Sequence, residues 1–326
     1  MLVYQRNHPQ LTSTDITPLL SLAAIRSSST QIEVLSGGLC NSTYRIHLTN
    51  SDQSLVLRLY DRDAAACALE LDLMRLVQDD VPVPKIIYAE REARQGRPPF
   101  VLMEYVEGIQ LRELKRRREP EALAQAARSI GEVLAHISSY RFNQPGTLGP
   151  GLTVKPCARA IASTPQIIED CLASLTFQSH VPSTVAEKIQ TMTCCWADRL
   201  ASLDRECALV HGDFNNRNTL VREVNGRWEV VAILDWEFAF SGSPLWDVAS
   251  ILRYERPARP PMEPYFSQAC ISAGMILPDD WRELARVADL ARSCQTLSSD
   301  SVPADVIAEV LELVRATVEE RAPALP

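Results

Sequence analysis

The sequence predicts an α+β fold made of two lobes around one cleft. Its 326 residues are enough for about two folding units. Roughly the first hundred residues contain short apolar runs separated by glycine and polar turns, which is typical of a small sheet. Most of the remaining chain shows the apolar spacing of amphipathic helices. A hydrophobic fraction of 46% is sufficient for a core in both parts.

The segment from residue 211 to residue 247 carries the strongest chemical signal. Asp213 precedes Asn218 by five residues, and two apolar runs then lead to Asp235. Phosphoryl transfer needs a carboxylate that orients and deprotonates the incoming hydroxyl, together with hard oxygen ligands for magnesium. Asp213 and Asn218 are of the right types, and their spacing suits a tight loop. The pattern therefore indicates metal-assisted phosphoryl transfer, with Asp235 as the second metal ligand.

The two apolar runs predict a β-hairpin. Residues 220–221 and 230–234 have the composition of strands, and Asn225-Gly226 between them is typical of a tight hairpin turn. Asp235 directly follows the second strand. We therefore expect its carboxylate to lie where a buried strand emerges.

This segment resembles the catalytic and metal-binding loops of aminoglycoside phosphotransferases and related small-molecule kinases of the choline kinase type. The resemblance lies in H-G-D-x-x-x-x-N, followed by L-D-W-E and by G-x-P-x-x-D. It implies a protein-kinase-like fold with a small β-rich N-lobe and a larger, mainly helical C-lobe. It also implies that Asp213 is the catalytic base, that Asn218 and Asp235 bind Mg²⁺, that Asp247 is a buried acid bracing the catalytic loop, and that His211 is structural. The alternative, capping and turn residues of an ordinary α/β protein, requires five polar residues to fall into this order by chance.

The N-terminal elements fit such an N-lobe. A short helix is predicted at residues 12–26, and strands are predicted at 32–35 and 43–48 on either side of the loop SGGLCNS. A glycine pair lets the backbone approach a phosphate closely, although most such pairs are ordinary hairpin turns. Because this loop lies where the resemblance places the nucleotide flap, the predicted phosphate-binding residues are Ser36, Gly37, Gly38, Asn41 and Ser42.

Arg58 is a cation inside the otherwise apolar strand predicted at residues 55–60. It has two interpretations: an edge-strand arginine facing water, or the cation that contacts the α and β phosphates of a nucleotide. We favour the second because Glu70, on the following helix, is available as a partner. The forked guanidinium could hold Glu70 and phosphate together. Many kinases of this fold have lysine at this position, whereas many members of the broad family that the segment resembles have arginine.

The run from Phe100 to Gly108 resembles the strand and hinge that join the two lobes. Backbone groups around Glu104 and Val106 would then meet the edge of the purine, although a plain core strand is equally compatible. The resemblance therefore predicts an N-lobe at residues 1–106, with the glycine loop and the nucleotide-binding sheet. The C-lobe at residues 107–326 would hold the catalytic loop, the metal site and the acceptor pocket.

The predicted C-lobe is mainly helical, beginning with the basic run from Arg112 to Arg118, which we interpret as a solvated helix face. Residues 121–140 predict a long amphipathic helix, and 157–206 predict two helices interrupted at Pro182. Further helices are predicted near 263–274, 279–297 and 303–320. Residues 247–326, much of the acceptor pocket according to the resemblance, contain 13 acidic and 8 basic residues. This excess, with Glu237, motivates the hypothesis of a cationic acceptor, although surface solvation explains it equally well.

The overall composition restricts the class of protein and its location. A net charge of −8 without an extended basic run makes nucleic acid an unexpected partner. Nine cysteines, none in a C-x-x-C pair, favour free thiols in a reducing cytoplasm over a zinc site. No apolar run approaches the length of a membrane span, and the N-terminus lacks the pattern of a signal peptide. We therefore expect a cytoplasmic monomer or dimer without membrane association.

The function expected from these residues is transfer of the γ-phosphoryl group of ATP or GTP to a hydroxyl of a small molecule, with Mg²⁺. An aminoglycoside-like antibiotic is one candidate acceptor, which would make the protein a determinant of antibiotic resistance. The alternatives are a metabolic kinase for an amino alcohol or sugar, and a non-catalytic nucleotide-binding pseudokinase. The sequence contains neither the G-x-S-x-G of many serine hydrolases nor the P-loop motif of other nucleotide-binding proteins.

Overall fold

The computed structural model has an antiparallel sheet in its N-terminal part and helices in most of the remainder. The predicted α+β fold is therefore confirmed. The structure describes residues 10–26, 29–35, 41–49, 53–61, 63–94, 96–155, 164–255, 259–300 and 302–319.

The N-terminal sheet has five strands, and each neighbouring pair is antiparallel. The strands are β1 (Ser29–Val34), β2 (Ser42–Leu48), β3 (Ser54–Leu59), β4 (Ile86–Glu90) and β5 (Phe100–Glu104). Their order across the sheet is β1-β2-β3-β5-β4. Strand β3, which carries Arg58, therefore lies at the centre of the sheet and not at its edge.

Alternate residues of the strands cover the two faces of this sheet. On β5, Leu102 packs on the side of helix α1 (Ser13–Leu22). Val101 and Met103 point the other way and join the core that includes helix α2 (Ala64–Val77). Helix α2 is thereby held against the face of the sheet that leads to the rest of the chain, which places Glu70 near the site described below.

The C-terminal part packs most of its helices against two long helices, α4 (Pro120–Ser139) and α10 (Trp281–Leu297). In chain order the helices are α3 (Leu111–Arg117), α4 (Pro120–Ser139), α5 (Thr164–Leu172), α6 (Leu175–His180), α7 (Ser183–Leu203), α8 (Leu245–Leu252), α9 (Tyr265–Ser272), α10 (Trp281–Leu297) and α11 (Ala304–Glu319). Helix α4 crosses α9 closely at Gly131, where an added Cβ would lie 2.4 Å from the carbonyl oxygen of Phe266. A side chain at this position would therefore push the two helices apart.

Two small sheets frame the segment between residues 211 and 218. Their strands are β6 (Ile109–Gln110), β7 (Gly146–Gly149), β8 (Thr153–Lys155), β9 (Ala208–Val210), β10 (Thr219–Val224), β11 (Arg227–Ile233) and β12 (Phe240–Gly242). One sheet has the order β11-β10-β6, and the other has the order β8-β7-β12-β9. Strands β10 and β11 form the predicted hairpin, and its turn at Asn225 and Gly226 has positive φ at both residues. This hairpin is confirmed.

The prediction of two helices at residues 157–206 is wrong, because the part of this range that the structure describes forms three. Helix α5 ends at Leu172, and Ser174 then caps the short α6, its hydroxyl accepting a hydrogen bond from the backbone N–H of Phe177 at 3.5 Å. The break lacks proline and glycine, the residues that would have marked it in the sequence. The break at Pro182 is present as predicted, since α7 begins at Ser183.

Within the described residues, no helix combines the length and the apolar composition that a membrane span requires.

Candidate active site

The predicted catalytic loop connects β9 to β10, and its course depends on one glycine. Gly212 has φ +80°, and an added Cβ would lie 2.2 Å from the carbonyl oxygen of Phe238. A left-handed conformation this close to another backbone segment is accessible to glycine only. The requirement for glycine fixes the path of the chain immediately before Asp213.

His211 is fully buried and is held by hydrogen bonds on both ring nitrogens. Its Nδ1 accepts a hydrogen bond from the backbone N–H of Asp213 at 3.1 Å, and its Nε2 lies 3.0 Å from the carbonyl oxygen of Leu234. This pairing assigns the proton to Nε2. Burial lowers the pKa of His211 to about 4, so the ring is neutral at physiological pH. The neutral ring connects the loop to the end of β11, in agreement with the predicted structural role.

Asp247 lies in the first turn of α8, fully buried beneath the loop. Its Oδ2 accepts a hydrogen bond from the backbone N–H of His211 at 2.7 Å, and its Oδ1 accepts one from Gly212 at 3.0 Å. Burial raises the pKa of Asp247 to about 7, and the two N–H donors oppose this by favouring the ionised form. The carboxylate satisfies two backbone donors that would otherwise be buried without acceptors, so it braces the loop as the resemblance implies.

The Asp213 carboxylate is held by two asparagines of its own loop. Oδ1 accepts a hydrogen bond from Asn215 Nδ2 at 2.8 Å, and Oδ2 accepts one from Asn218 Nδ2 at 2.7 Å. The side chain keeps 29% of its surface exposed. Its orientation is thus fixed while it remains accessible to a substrate, which is what a general base requires.

Asn218 and Asp235 are brought together by the backbone. The N–H of Leu234 donates a hydrogen bond to the carbonyl oxygen of Asn218 at 2.9 Å, so Asp235 follows one residue after this contact. Because the amide nitrogen of Asn218 faces Asp213, its amide oxygen is turned away from that carboxylate. Asp235 has φ +71°, a left-handed conformation that is uncommon for residues other than glycine and that aspartate adopts more readily than most.

Arg58 contacts three carboxylates on two parts of the chain. Its Nε lies 3.2 Å from Glu70 Oε2, its Nη2 donates to Asp235 Oδ1, and the same Nη2 lies 3.6 Å from Glu237 Oε2. Only 11% of the Arg58 side chain is exposed. The predicted pairing with Glu70 is present, and the alternative of an edge-strand arginine facing water is wrong.

Glu70 is buried and has a second partner besides Arg58. The Tyr60 hydroxyl donates a hydrogen bond to Glu70 Oε2 at 2.6 Å. Burial raises the pKa of Glu70, and the neighbouring guanidinium of Arg58 opposes this rise. The ion pair positions Arg58 from the N-terminal sheet against Asp235, so it links the two parts of the chain at this site.

Of the predicted phosphate-binding loop, the structure shows the last two residues. Asn41 Nδ2 donates to Glu237 Oε2 at 2.6 Å, and Ser42 Oγ donates to Asp61 Oδ2 at 3.3 Å. These contacts place the end of the loop beside Arg58 and Asp235, without testing whether it binds phosphate. The other predicted residues of the loop lie outside the described residues: Ser36, Gly37 and Gly38.

Of the predicted purine-binding residues, Glu104 is the last residue of β5 and Val106 lies in the connection between β5 and β6. Glu104 is exposed, its Oε1 lies 3.7 Å from Lys85 Nζ, and its backbone N–H donates to the carbonyl oxygen of Lys85 at 2.9 Å. Val106 is half-buried in the segment that follows. Their contact with a nucleotide stays a prediction.

Sequence reasoning did not identify Arg292, which reaches the loop from α10. Its Nη2 donates to the carbonyl oxygen of Gly212, and its Nη1 lies 3.6 Å from Asp213 Oδ1. One available signal was the pair Asp289 and Arg292, one helical turn apart in a helix whose other central positions are almost all apolar and buried. A charged pair on a buried helix face indicates a partner elsewhere in the chain.

The residues predicted to hold Mg²⁺ fit such an ion by their chemistry. The Asn218 amide and the Asp235 carboxylate supply hard oxygen donors, and Asp235 already faces a cation, the Arg58 guanidinium. No three His, Cys, Asp or Glu side chains among the described residues cluster as a metal site. A metal at this position would therefore depend on the amide oxygen and on oxygens of water or phosphate, as is common for Mg²⁺.

Comparison with known proteins assigns this fold and site to a class. Residues 31–287 match the model of the APH family, described as the phosphotransferase enzyme family. The match covers most of the chain, so the chain belongs to this family.

Solved structures of the same class share the fold. The GDP complex of aminoglycoside 2'-phosphotransferase-IIIa superposes with a TM-score of 0.70 at 16% identity, covering 94% of this chain and 99% of that one. A thermostable mutant of aminoglycoside phosphotransferase APH(4)-Ia, in a ternary complex with ADP and hygromycin B, gives a TM-score of 0.68 at 18% identity, covering 94% and 98%. The predicted two-lobe, protein-kinase-like architecture is confirmed.

Curated relatives at the level of sequence are much longer proteins. Acyl-CoA dehydrogenase family member 10 of Mus musculus is 27% identical over 269 residues, which is 75% of this chain and 24% of that protein. Acyl-CoA dehydrogenase family member 11 of Rattus norvegicus is 30% identical over 185 residues, which is 56% and 22%. The chain thus corresponds to about a quarter of the length of these relatives.

Proposed function

We propose that the chain transfers the γ-phosphoryl group of ATP or GTP to a hydroxyl group of a small molecule. The observation that carries this proposal is a set of contacts in two steps. Asp213 contacts Asn218, whose backbone is hydrogen-bonded to Leu234, the residue before Asp235; Asp235 then contacts Arg58, which pairs with Glu70. A carboxylate base, hard oxygen donors and a buried cation then lie side by side. These are the groups that positioning and charge stabilisation of a phosphoryl group require.

In this proposal Asp213 is the catalytic base. The two asparagine amides orient its carboxylate, and its exposed fraction leaves room for the acceptor hydroxyl. Asp213 accepts the hydroxyl proton as the oxygen attacks the γ-phosphorus. Asp247 and His211 act indirectly, because they fix the backbone on which Asp213 is carried.

Asn218 and Asp235 would hold Mg²⁺, which when bound neutralises charge on the phosphates. Arg58 would contact the α and β phosphates while Glu70 keeps its guanidinium in position. The polar groups of Asn41 and Ser42, with Ser36, Gly37 and Gly38, would close over the phosphates. The backbone around Glu104 and Val106 would meet the purine, between an N-lobe at residues 1–106 and a C-lobe at 107–326.

The acceptor is the open part of this proposal. The structural neighbours named above include complexes with hygromycin B and with ADP or GDP, which favours a nucleotide and a small-molecule acceptor here. An aminoglycoside, an amino alcohol and a sugar are candidates, and a nucleotide-binding pseudokinase is the alternative. The hypothesis of a cationic acceptor loses part of its basis, since Glu237 contacts Asn41 and Arg58. A cytoplasmic monomer or dimer and a role in antibiotic resistance stay predictions.

The test is a mass-spectrometric panel of hydroxyl compounds with ATP or GTP, run with wild type, Asp213→Asn and Asp235→Ala. Loss of the base should lower turnover by about 100-fold or more while nucleotide binding is retained. Asp235→Ala should instead remove magnesium-dependent nucleotide binding, measured by calorimetry, because it deletes a charged ligand.

Asp198→Asn, an exposed acid on α7, is the matched control and should behave as wild type. Near-normal turnover by Asp213→Asn would remove this residue from the mechanism. If wild type binds nucleotide but adds phosphate to no compound in a broad panel, the pseudokinase becomes the better description.

A further inference from the structure

The cation closest to the proposed base lies on the accessible side of the loop. The Arg292 side chain is 31% exposed, about the same as Asp213, whose Oδ1 lies 3.6 Å from its Nη1. The guanidinium is anchored on the carbonyl oxygen of Gly212 through Nη2. It is therefore held at the site while about a third of its side-chain surface stays exposed.

The charges packed around Arg292 come from three elements. Asp289, one turn earlier on α10, is paired with Arg253 of α8, whose Nε lies 2.7 Å from Asp289 Oδ1. Both oxygens of Asp247 accept hydrogen bonds from backbone N–H groups. Burial lowers the pKa of Arg292, and the neighbouring Arg253 adds to this effect. Asp289 and Asp247 thus have other partners, whereas Asp213 Oδ1 lies 3.6 Å from Arg292 Nη1.

A hydroxyl that approaches Asp213 must bring its neighbouring substituents next to this guanidinium. An ammonium group there would meet a permanent cation in a partly desolvated cleft, which is unfavourable. A carboxylate or phosphate group would accept charge-assisted hydrogen bonds from the planar fork. The local charge therefore favours an anionic substituent near the reacting hydroxyl.

Arginines on the other flank of the loop have the same sign. The backbone N–H at Arg112, at the start of α3, donates to the carbonyl oxygen of Asn216 at 3.0 Å, which places this helix against the loop. Desolvation lowers the pKa of Arg112, and the nearby charges of Arg217 and Arg116 lower it further. Glu113 opposes part of this effect. The arginines add positive charge to this flank of the loop, which favours an anion there.

We propose that the acceptor carries a carboxylate or phosphate group close to the hydroxyl that is phosphorylated, and that Arg292 binds this group. The inference rests on the proposed phosphotransferase function and specifies the chemical class of its acceptor. It predicts an anionic acceptor, whereas the acidic composition of residues 247–326 suggested a cationic one. Net composition includes screened surface charge, whereas Arg292 lies at the reacting position.

The test compares compounds that share a carbon frame and differ in charge. One series is glycerate, glyceramide and 3-aminopropane-1,2-diol, with glycerol 3-phosphate as the phosphate member. A longer series is 6-hydroxyhexanoate, 6-hydroxyhexanamide and 6-aminohexan-1-ol. Binding to the full chain is measured by calorimetry at saturating AMP-PNP and Mg²⁺, and phosphoryl transfer is measured separately by product mass with ATP or GTP.

The variants are Arg292→Gln, Arg292→Lys and, as the matched control, Arg282→Gln. Arg282 lies on the same helix, is 55% exposed and pairs with Glu263 at 2.7 Å, away from the loop. Wild type and the control should bind an anionic member about tenfold or more tightly than the neutral one. Arg292→Gln should reduce this preference to less than about threefold, and Arg292→Lys should keep part of it.

Comparison of glycerate with glycerol 3-phosphate shows which anion is preferred. Equal binding of charged and neutral members, preference for a cation, no binding of any anionic member, or an unchanged preference in Arg292→Gln would each overturn the proposal. A uniform loss of turnover for all acceptors in Arg292→Gln, with the anion preference intact, would show that Arg292 only supports the loop, and would also overturn it. Failure of the proposed function looks different, since wild type would then bind anions selectively without adding phosphate to any compound.

Discussion

The sharpest structural prediction concerns Gly212, because the chain offers a matched control for it. Gly212 and Gly226 have nearly the same backbone conformation, with φ of +80° and +79°. An added Cβ at Gly226 would have no heavy atom within 4 Å, whereas at Gly212 it would lie 2.2 Å from the carbonyl oxygen of Phe238. Substitution of each by alanine therefore separates the cost of the left-handed conformation from the cost of the steric contact.

The expected magnitudes follow from these two terms. The left-handed conformation costs alanine about 1–2 kcal/mol, and the reduced entropy of the unfolded chain returns about 0.4–1 kcal/mol. Gly226→Ala should therefore lower the free energy of unfolding by about 1 kcal/mol or less. Gly212→Ala adds a contact with a backbone atom that cannot rotate away, for a total of about 2–4 kcal/mol.

Gly212→Ala should also lower the catalytic rate. Relief of the contact must move the backbone next to Asp213, and a displacement of about 1 Å can cost about 100-fold in rate. Urea denaturation of wild type and both variants gives the stabilities, and steady-state turnover at saturating nucleotide gives the rates. If Gly212→Ala matches Gly226→Ala in both measurements, the close approach to Phe238 does not constrain the loop and this reasoning is wrong.

Substitutions at two further residues, Arg58 and Asp247, test the buried charges. Arg58→Ala should lower the free energy of unfolding by about 3–5 kcal/mol, because it leaves Glu70 buried without its cation. Arg58→Lys should lower it less and should raise the KM for nucleotide more than the KM for acceptor. Equal changes in both KM values would favour a purely structural arginine. Burial raises the pKa of Asp247 to about 7 from its ordinary value of 3.8, so folding takes up a proton between these pH values. The free energy of unfolding should therefore fall by up to about 4 kcal/mol as pH rises from about 4 to 7. Asp247→Asn should lack this decline, and parallel stability curves for wild type and variant would contradict the raised pKa.

Local elements of the site were predictable because their signals are contiguous in the sequence. Asn225-Gly226 predicts the hairpin turn, since both residues tolerate positive φ, and the turn fixes where Asp235 emerges. The spacing between Asp213 and Asn218 spans one loop, so a hydrogen bond between their side chains needs no information about the rest of the fold.

Contacts between distant elements were not predictable in the same way. Arg292 reaches Gly212 across 80 positions, and its approach depends on how α10 packs against α8. The hydrophobic pattern of α10 predicts a helix with a buried face but does not specify which loop that face meets. The break between α5 and α6 was missed for a related reason, because a serine cap is a weaker signal in a sequence than proline or glycine.

The surroundings of Arg58 give a physical reason for arginine where many kinases of this fold have lysine. Its Nε faces Glu70, while Nη2 faces both Asp235 and Glu237. A lysine has a single ammonium group and would have to divide one point charge among three carboxylates in different directions. The guanidinium presents donors along separate directions. Its Nε can therefore stay paired with Glu70 while its Nη2 releases the Asp235 carboxylate and binds a phosphate oxygen instead. The separate positions of Glu70 on Nε and of Asp235 on Nη2 are thus the feature that makes the arginine fork suitable here.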